Sequence, residues 1–104
     1  MASKKFAAEL IGTFLLTFIG CASVVVAASS AFKAAGPNFG IAGIALVGLT
    51  FGLALVAIAF TFGPISGAHV NPAVTLGFVA ARKIDIGEAV SYIVAQFIGA
   101  VLAA

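Results

Sequence analysis

Hydrophobic residues fill this chain in long runs, and charged residues occur only where those runs are interrupted. The eight charged side chains lie at positions 4, 5, 9, 33, 82, 83, 85 and 88. They leave three uncharged stretches, residues 10–32, 34–81 and 89–104. A transmembrane helix needs about 20 apolar residues. The first stretch therefore holds one span, the third is slightly short for one, and the second must be divided.

Glycine and proline divide the second stretch. Turn-forming residues between positions 36 and 40 favour a loop over residues 30–40. The apolar residues 41–62 that follow predict a second span. Beyond them, the two glycines and the proline of residues 63–70, GPISGAHV, favour the end of that helix and a non-helical segment.

A new helix is expected to begin directly after this segment. Asn71 is a preferred N-cap residue, and Pro72 suits the first helical position because its missing N–H would have no helical partner. The helix expected over residues 71–82 is about 18 Å long, whereas the hydrocarbon core of a bilayer is about 30 Å thick. It can reach the midplane but cannot cross.

These patterns predict an all-α membrane protein with a re-entrant loop. The predicted elements are helix 1 over about 6–29, helix 2 over 41–62, the re-entrant loop over 63–70, a half-helix over 71–82 and an incomplete helix 3 over 87–104. Cytoplasmic loops are enriched in Lys and Arg. Because Lys4, Lys5, Arg82 and Lys83 outweigh Lys33, we expect a multi-pass protein of the cell (inner or plasma) membrane with a cytoplasmic N-terminus.

Composition excludes several function classes. Only 8% of the residues are charged, against about 25% in soluble domains, and a net charge of +2 is too small for a nucleic-acid surface. His69 has no second His, Cys or carboxylate at ligand spacing, and no nucleophile lies beside a base, so we expect no metal, no cofactor and no enzyme. A cleaved signal peptide is disfavoured because the first apolar run exceeds the typical 7–15 residues and Glu9 lies at its start.

The polar loop predicts a path for neutral solutes. Non-helical backbone is tolerated at membrane depth only where protein buries it or water wets it. Residues 66–70 would present carbonyl oxygens along such a wet path, while the Asn71 amide both caps the half-helix and donates to a solute. The positive end of the half-helix dipole lies beside Asn71 and repels cations and protons.

Two segments of the chain resemble a known family. SGAHVNPAVT at residues 66–75, together with AELIGTF at residues 8–14, is similar to the aquaporin (major intrinsic protein) family. The resemblance covers essentially the whole chain, as the N-terminal half, or first repeat, of a bacterial-type water channel. It implies passive flow of water, with glycerol as a second small neutral solute, through a homotetramer with one pore per subunit.

The resemblance also implies roles for individual residues. Those expected to line the pore or set its selectivity are Asn71, Pro72, Ala73, Gly67, Ala68, His69, Val70, Phe51, Leu55 and Val74. Phe51 resembles the aromatic residue of the narrow constriction, as found in water-selective members, and His69 would be a neutral, structural residue. Glu9 and Gln96 would support the re-entrant loop, Glu9 by accepting its hydrogen bonds.

The chain departs from the family pattern in having one repeat instead of two inverted ones. The second Asn-Pro-Ala segment and the arginine of the constriction are missing, so we expect a fragment that needs a second repeat. Two alternatives stay open at this stage. One is a dimeric small multidrug-resistance-type antiporter that carries cations and protons on Glu9. The other is a membrane fragment that does not conduct.

Overall fold

The computed structural model of the protein describes residues 2–34 and 39–104. Within these ranges the chain forms helices and no strand, which confirms the predicted all-α fold. The helices are α1 (Ala2–Ala28), α2 (Ser30–Lys33), α3 (Phe39–Ser66), α4 (Pro72–Ala80) and α5 (Ile86–Ala103). Three segments of the described chain are long and apolar enough to cross a membrane, namely Ala2–Ala28, Gly40–Ser66 and Ile86–Ala103. The nine residues of α4 extend only about 14 Å.

Helix α3 continues four residues past its predicted end. The prediction that residues 63–66 are non-helical is wrong, because Pro64 lies inside the helix and the Gly67 N–H closes the last turn on the Gly63 carbonyl at 2.9 Å. Proline removes one helical hydrogen bond. Leaving the helix earlier would strip partners from several backbone groups at membrane depth, where water cannot replace them.

The segment predicted as a loop over residues 30–40 is partly helical. Ser29 caps the short α2 by accepting a hydrogen bond from the Phe32 N–H at 3.2 Å. Gly40 belongs to α3, so its assignment to the loop is wrong. The turn-forming residues 36–38 lie outside the described residues.

Helix α1 lies between α3 and α5, and α4 packs against α5. The contact of α1 with α5 depends on Gly99. A methyl group at this position would overlap the Leu10 carbonyl oxygen and lie 3.1 Å from the Phe14 nitrogen. The bare backbone of α5 therefore rests directly on the backbone of α1, which brings side chains from both helices beneath the loop.

The largest buried side chains of the described residues are polar, and most of the large hydrophobic ones are exposed. Among the described residues, the largest fully buried side chains are Gln96, Glu9 and Thr75. Large hydrophobic side chains face outward along every long helix, as at Phe60, which is 83% exposed. This is the reverse of a water-soluble core and matches a lipid environment, in which ionisable groups turn toward the bundle interior.

Candidate functional site

The loop between α3 and α4 has an unusual backbone. Residues 67–70 are non-helical, and Gly67, Ala68 and Val70 have positive φ angles of 89°, 50° and 44°. Glycine adopts such angles freely, but a β-branched residue such as valine does so only when its surroundings require it. The contacts that hold this loop must therefore be strong.

Those contacts begin with the loop N–H groups, all of which point into the protein. The four donations are Gly67 N–H to Gly63 O (2.9 Å), Ala68 N–H to Ser66 Oγ (3.1 Å), His69 N–H to Glu9 Oε1 (2.9 Å) and Val70 N–H to Glu9 Oε2 (2.7 Å). Within the described part of the chain, no hydrogen bond ends on the carbonyl oxygens of residues 67–70. The loop therefore has a donor side, which the protein satisfies, and an acceptor side, which it leaves free.

Glu9 is the main anchor of the loop. Its carboxylate is fully buried and accepts four hydrogen bonds. Oε1 accepts from Ser66 Oγ at 2.7 Å and from the His69 N–H. Oε2 accepts from the Val70 N–H and from Gln96 Nε2 at 2.8 Å. A buried carboxylate is costly unless it is fully hydrogen-bonded, and this one joins α1, the loop and α5.

Thr75 in α4 extends this network. Gln96 Nε2 donates to Thr75 Oγ1 at 3.0 Å as well as to Glu9. Thr75 Oγ1 also lies 3.1 Å from His69 Nδ1 and 3.3 Å from the Asn71 carbonyl oxygen. One amide of α5 thus connects the carboxylate under the loop with the first turn of α4.

The His69 side chain is enclosed by aromatic rings. It stacks on Phe78 with the ring centroids 4.4 Å apart, and it makes an edge-to-face contact with Tyr92, with the ring centroids 5.1 Å apart. The Tyr92 hydroxyl donates to the Ser66 carbonyl at 2.6 Å and so ties the last turn of α3 to α5. The imidazole is therefore packed inside the molecule, and His69 can meet a solute mainly through its backbone.

Asn71 occupies the junction of loop and half-helix. Its side chain is exposed, and Oδ1 accepts from the Ala73 N–H at 2.9 Å, which makes Asn71 the N-cap of α4 as predicted. The side-chain NH₂ group has no hydrogen-bond partner among the described residues. It is therefore a free donor at the positive end of α4, next to the free carbonyl groups of residues 67–70.

The remaining predicted site residues lie on open helix faces. Phe51 is 36% exposed and Leu55 43% exposed, one turn apart on the same face of α3. On α4, Val74 and Ala73 are also exposed, and Pro72 is half-buried. The loop, Glu9 and Gln96 are brought together by direct hydrogen bonds, whereas Phe51 contacts α1 instead.

Sequence analysis missed three contributors to the site, namely Ser66, Thr75 and Tyr92. Each makes a hydrogen bond that joins different elements or fixes the loop. Tyr92 carried a usable signal, because it lies one turn before Gln96 and polar residues with this spacing share one face of a helix. Ser66 and Thr75 are common in membrane helices, and nothing in their spacing sets them apart.

Comparison with known proteins places this site in a family. The profile of the Major intrinsic protein family matches residues 1–104. Aquaporin Z of Bradyrhizobium diazoefficiens is 48% identical over 104 residues, and aquaporin Z of Rhodopseudomonas palustris is 47% identical; the match covers the whole chain and 40% of each relative. Glycerol uptake facilitator protein-like 6 of Lactiplantibacillus plantarum is 43% identical over 100 residues, 96% of the chain and 40% of that protein. The chain thus spans about 40% of the length of these curated relatives, and it belongs to the major intrinsic protein family of multi-pass membrane channels.

Proposed function

We propose that this chain forms one half of a channel that conducts water, and small neutral solutes such as glycerol, passively across the membrane. The observation that carries the proposal is the one-sided hydrogen bonding of residues 67–70, in which the N–H groups are used inside the protein and the carbonyl oxygens are left free. The similarity to proteins named aquaporin Z and glycerol uptake facilitator protein-like 6 supports the same solutes.

A solute such as water can be passed along this arrangement. It donates hydrogen bonds to successive carbonyl oxygens and, at the end of the row, accepts one from the Asn71 NH₂ group. Because Oδ1 accepts from the Ala73 N–H, the NH₂ group is the part of the Asn71 side chain that is free to face the path. The positive end of the α4 dipole lies at the same point and raises the energy of a cation there. Neutral molecules that both donate and accept hydrogen bonds meet no such barrier.

Glu9 serves the channel as a structural clamp in this proposal. A proton-carrying carboxylate must exchange with solvent, but Glu9 is fully buried and holds four donors. The antiporter alternative also needs four full spans, whereas the described residues provide three and a nine-residue α4. Membership of the major intrinsic protein family, a channel family, overturns that alternative. We likewise propose transport without catalysis.

The proposal includes the partners and the placement of the chain. An opposing half would face Asn71 and complete the path, and four such channels would assemble as a homotetramer. The pore walls would include Phe51, Leu55 and Val74, which present open faces. We place the protein in the cell (inner or plasma) membrane with its N-terminus in the cytoplasm.

Osmotic shrinkage of proteoliposomes, followed by stopped-flow light scattering, tests this function. A chimaera in which residues 1–104 replace the matching part of the Bradyrhizobium diazoefficiens aquaporin Z supplies an opposing half. We expect liposomes that contain the chimaera to shrink several-fold faster than empty liposomes. Asn71→Asp is the informative variant, because aspartate still caps α4 but cannot donate toward the path. Loss of one hydrogen bond from the protein to the solute costs about 1.4 kcal/mol, so permeability should fall about tenfold.

The outcomes separate the alternatives. Shrinkage no faster than that of empty liposomes, with the chimaera inserted and folded, would overturn the proposed function. The same shrinkage measurement should be made on liposomes that contain the 104-residue chain alone, without an opposing half. If the chain alone conducts and Asn71→Asp slows it, the statement that it forms only half of the path is wrong. If only the chimaera conducts, that statement holds.

A further inference from the structure

Gly20 in α1 and Phe51 in α3 make an unusually close contact. Gly20 is buried, and a methyl group at this position would overlap three atoms of the Phe51 ring, Cδ1, Cε1 and Cζ. The ring therefore lies directly on the backbone of α1, in space that any other residue at position 20 would occupy.

This contact is specific to Gly20. On α1, Gly12 also faces a neighbour, but a methyl group there would lie 2.7 Å from Cγ1 of Val70, in the loop. On α3, methyl groups at Gly48 and Gly52 would meet nothing within 4 Å among the described residues beyond their chain neighbours and their own helix backbone. Among the glycines whose surroundings the structure describes, Gly20 alone makes room for Phe51.

The opposite side of the Phe51 ring is open. Phe51 is 36% exposed, and Leu55, one turn further along the same face, is 43% exposed. The ring consequently has α1 behind it and free space in front. Packed backbone cannot yield as a flexible side chain can, so a group added behind the ring must drive it forward.

We propose that Gly20 is a positioning residue that sets the width of the solute path at Phe51 and thereby the discrimination between water and three-carbon polyols. The inference rests on the proposed function, in which Phe51 belongs to the pore wall. Gly20 touches no solute. It lets the Phe51 ring withdraw against α1, so the path is wider than the same phenylalanine would leave beside any larger residue at position 20.

Gly20→Ala in the chimaera tests the inference through water and glycerol permeability. The added methyl group should push the ring into the path and lower water permeability several-fold. Phe51→Ala should do the opposite and raise glycerol permeability. The double variant is decisive, because without the ring the methyl group has nothing to displace. In the Phe51→Ala background, Gly20→Ala should therefore change neither permeability.

Gly52→Ala is the matched control, since it adds the same methyl group at the position after Phe51, where side chains leave the helix on a different face. It should leave both permeabilities unchanged. Equal effects of Gly20→Ala in the presence and absence of the Phe51 ring would overturn the inference, as would a Gly20→Ala variant that behaves like Gly52→Ala. If Gly20→Ala does not fold, adding Phe51→Leu, which shortens the displaced side chain, should restore folding and permeability; failure to restore them also counts against the inference. A parent chimaera that does not conduct would instead reject the proposed function.

Discussion

At the scale of single residues, the loop depends on the Glu9 carboxylate, in which both oxygens already accept two hydrogen bonds each. All four hydrogen bonds to Glu9 come from groups that cannot turn to water, because they are buried with it. Glu9→Gln keeps the size of the side chain but replaces one acceptor oxygen by a donor. In place of Oε1, that donor would face the His69 N–H, and in place of Oε2 it would face the Val70 N–H and Gln96 Nε2; two donors cannot satisfy each other.

We therefore expect Glu9→Gln to lower the free energy of unfolding by about 2–3 kcal/mol, the cost of buried donors without partners. Thermal unfolding of the chimaera in detergent, followed by circular dichroism, measures this change. Glu88→Gln is the matched control, because the Glu88 carboxylate forms a partly exposed ion pair with Lys5 at 2.5 Å. Such a pair contributes under about 1 kcal/mol. Similar losses in both variants would contradict the assignment of Glu9 as the anchor.

The role of a single residue could be predicted from the sequence only where that residue belongs to a recognisable local motif. The cap at Asn71 was predictable because Asn followed by Pro is typical of a helix start. The partners of Glu9 were not, since hydrogen bonds across 57 to 87 residues of sequence depend on how α1 meets α3 and α5. Phe51 was identified only by its resemblance to a family position. Its contact with Gly20 could not be predicted, because it depends on how α1 packs against α3.

At the scale of elements, the contact of α1 with α5 decides whether the network can form. Gly99→Ala would place a methyl group against the Leu10 carbonyl oxygen, which belongs to rigid helical backbone. The two helices must separate, and this should lower the free energy of unfolding by about 1–3 kcal/mol. Gly48→Ala, which meets nothing within 4 Å among the described residues, should instead be neutral or slightly stabilising. Unfolding curves of the two variants in the chimaera check this, and equal stability would show that the close approach is not needed.

The end of α3 shows why element boundaries were harder to predict than elements. Gly63 and Pro64 break helices in water, where exposed backbone groups find other partners. At membrane depth those partners are absent, so the helix continues to Ser66 and ends only where Glu9 and Ser66 Oγ can accept from the next N–H groups. Glycine and proline do mark the end of this helix, but the residue at which it ends depends on where acceptors for the next N–H groups lie.

At the scale of the whole molecule, one ion pair fixes which helix ends lie together. Lys5 near the start of α1 and Glu88 near the start of α5 are 2.5 Å apart, so both helices begin at the same end of the protein. Lys4 and Lys5 in the first turns of α1 therefore share this end with Arg82 and Lys83, which follow α4. Lys33 follows α1 and lies toward the opposite end. The charge asymmetry seen in the sequence is thus an asymmetry between the two ends of the molecule.

This arrangement leads to a topology prediction. Positive charge is retained on the cytoplasmic side, so residue 3 should be cytoplasmic and residue 30 external. Ser3 and Ser30 are both exposed, and single cysteines can replace them in a Cys21→Ala background. In spheroplasts of a bacterial expression host, a membrane-impermeant maleimide should label Ser30→Cys in the chimaera directly but Ser3→Cys only after permeabilisation. The opposite labelling pattern would place the positive end outside, and then the carbonyl row of residues 67–70 would serve the external half of the path instead of the internal one.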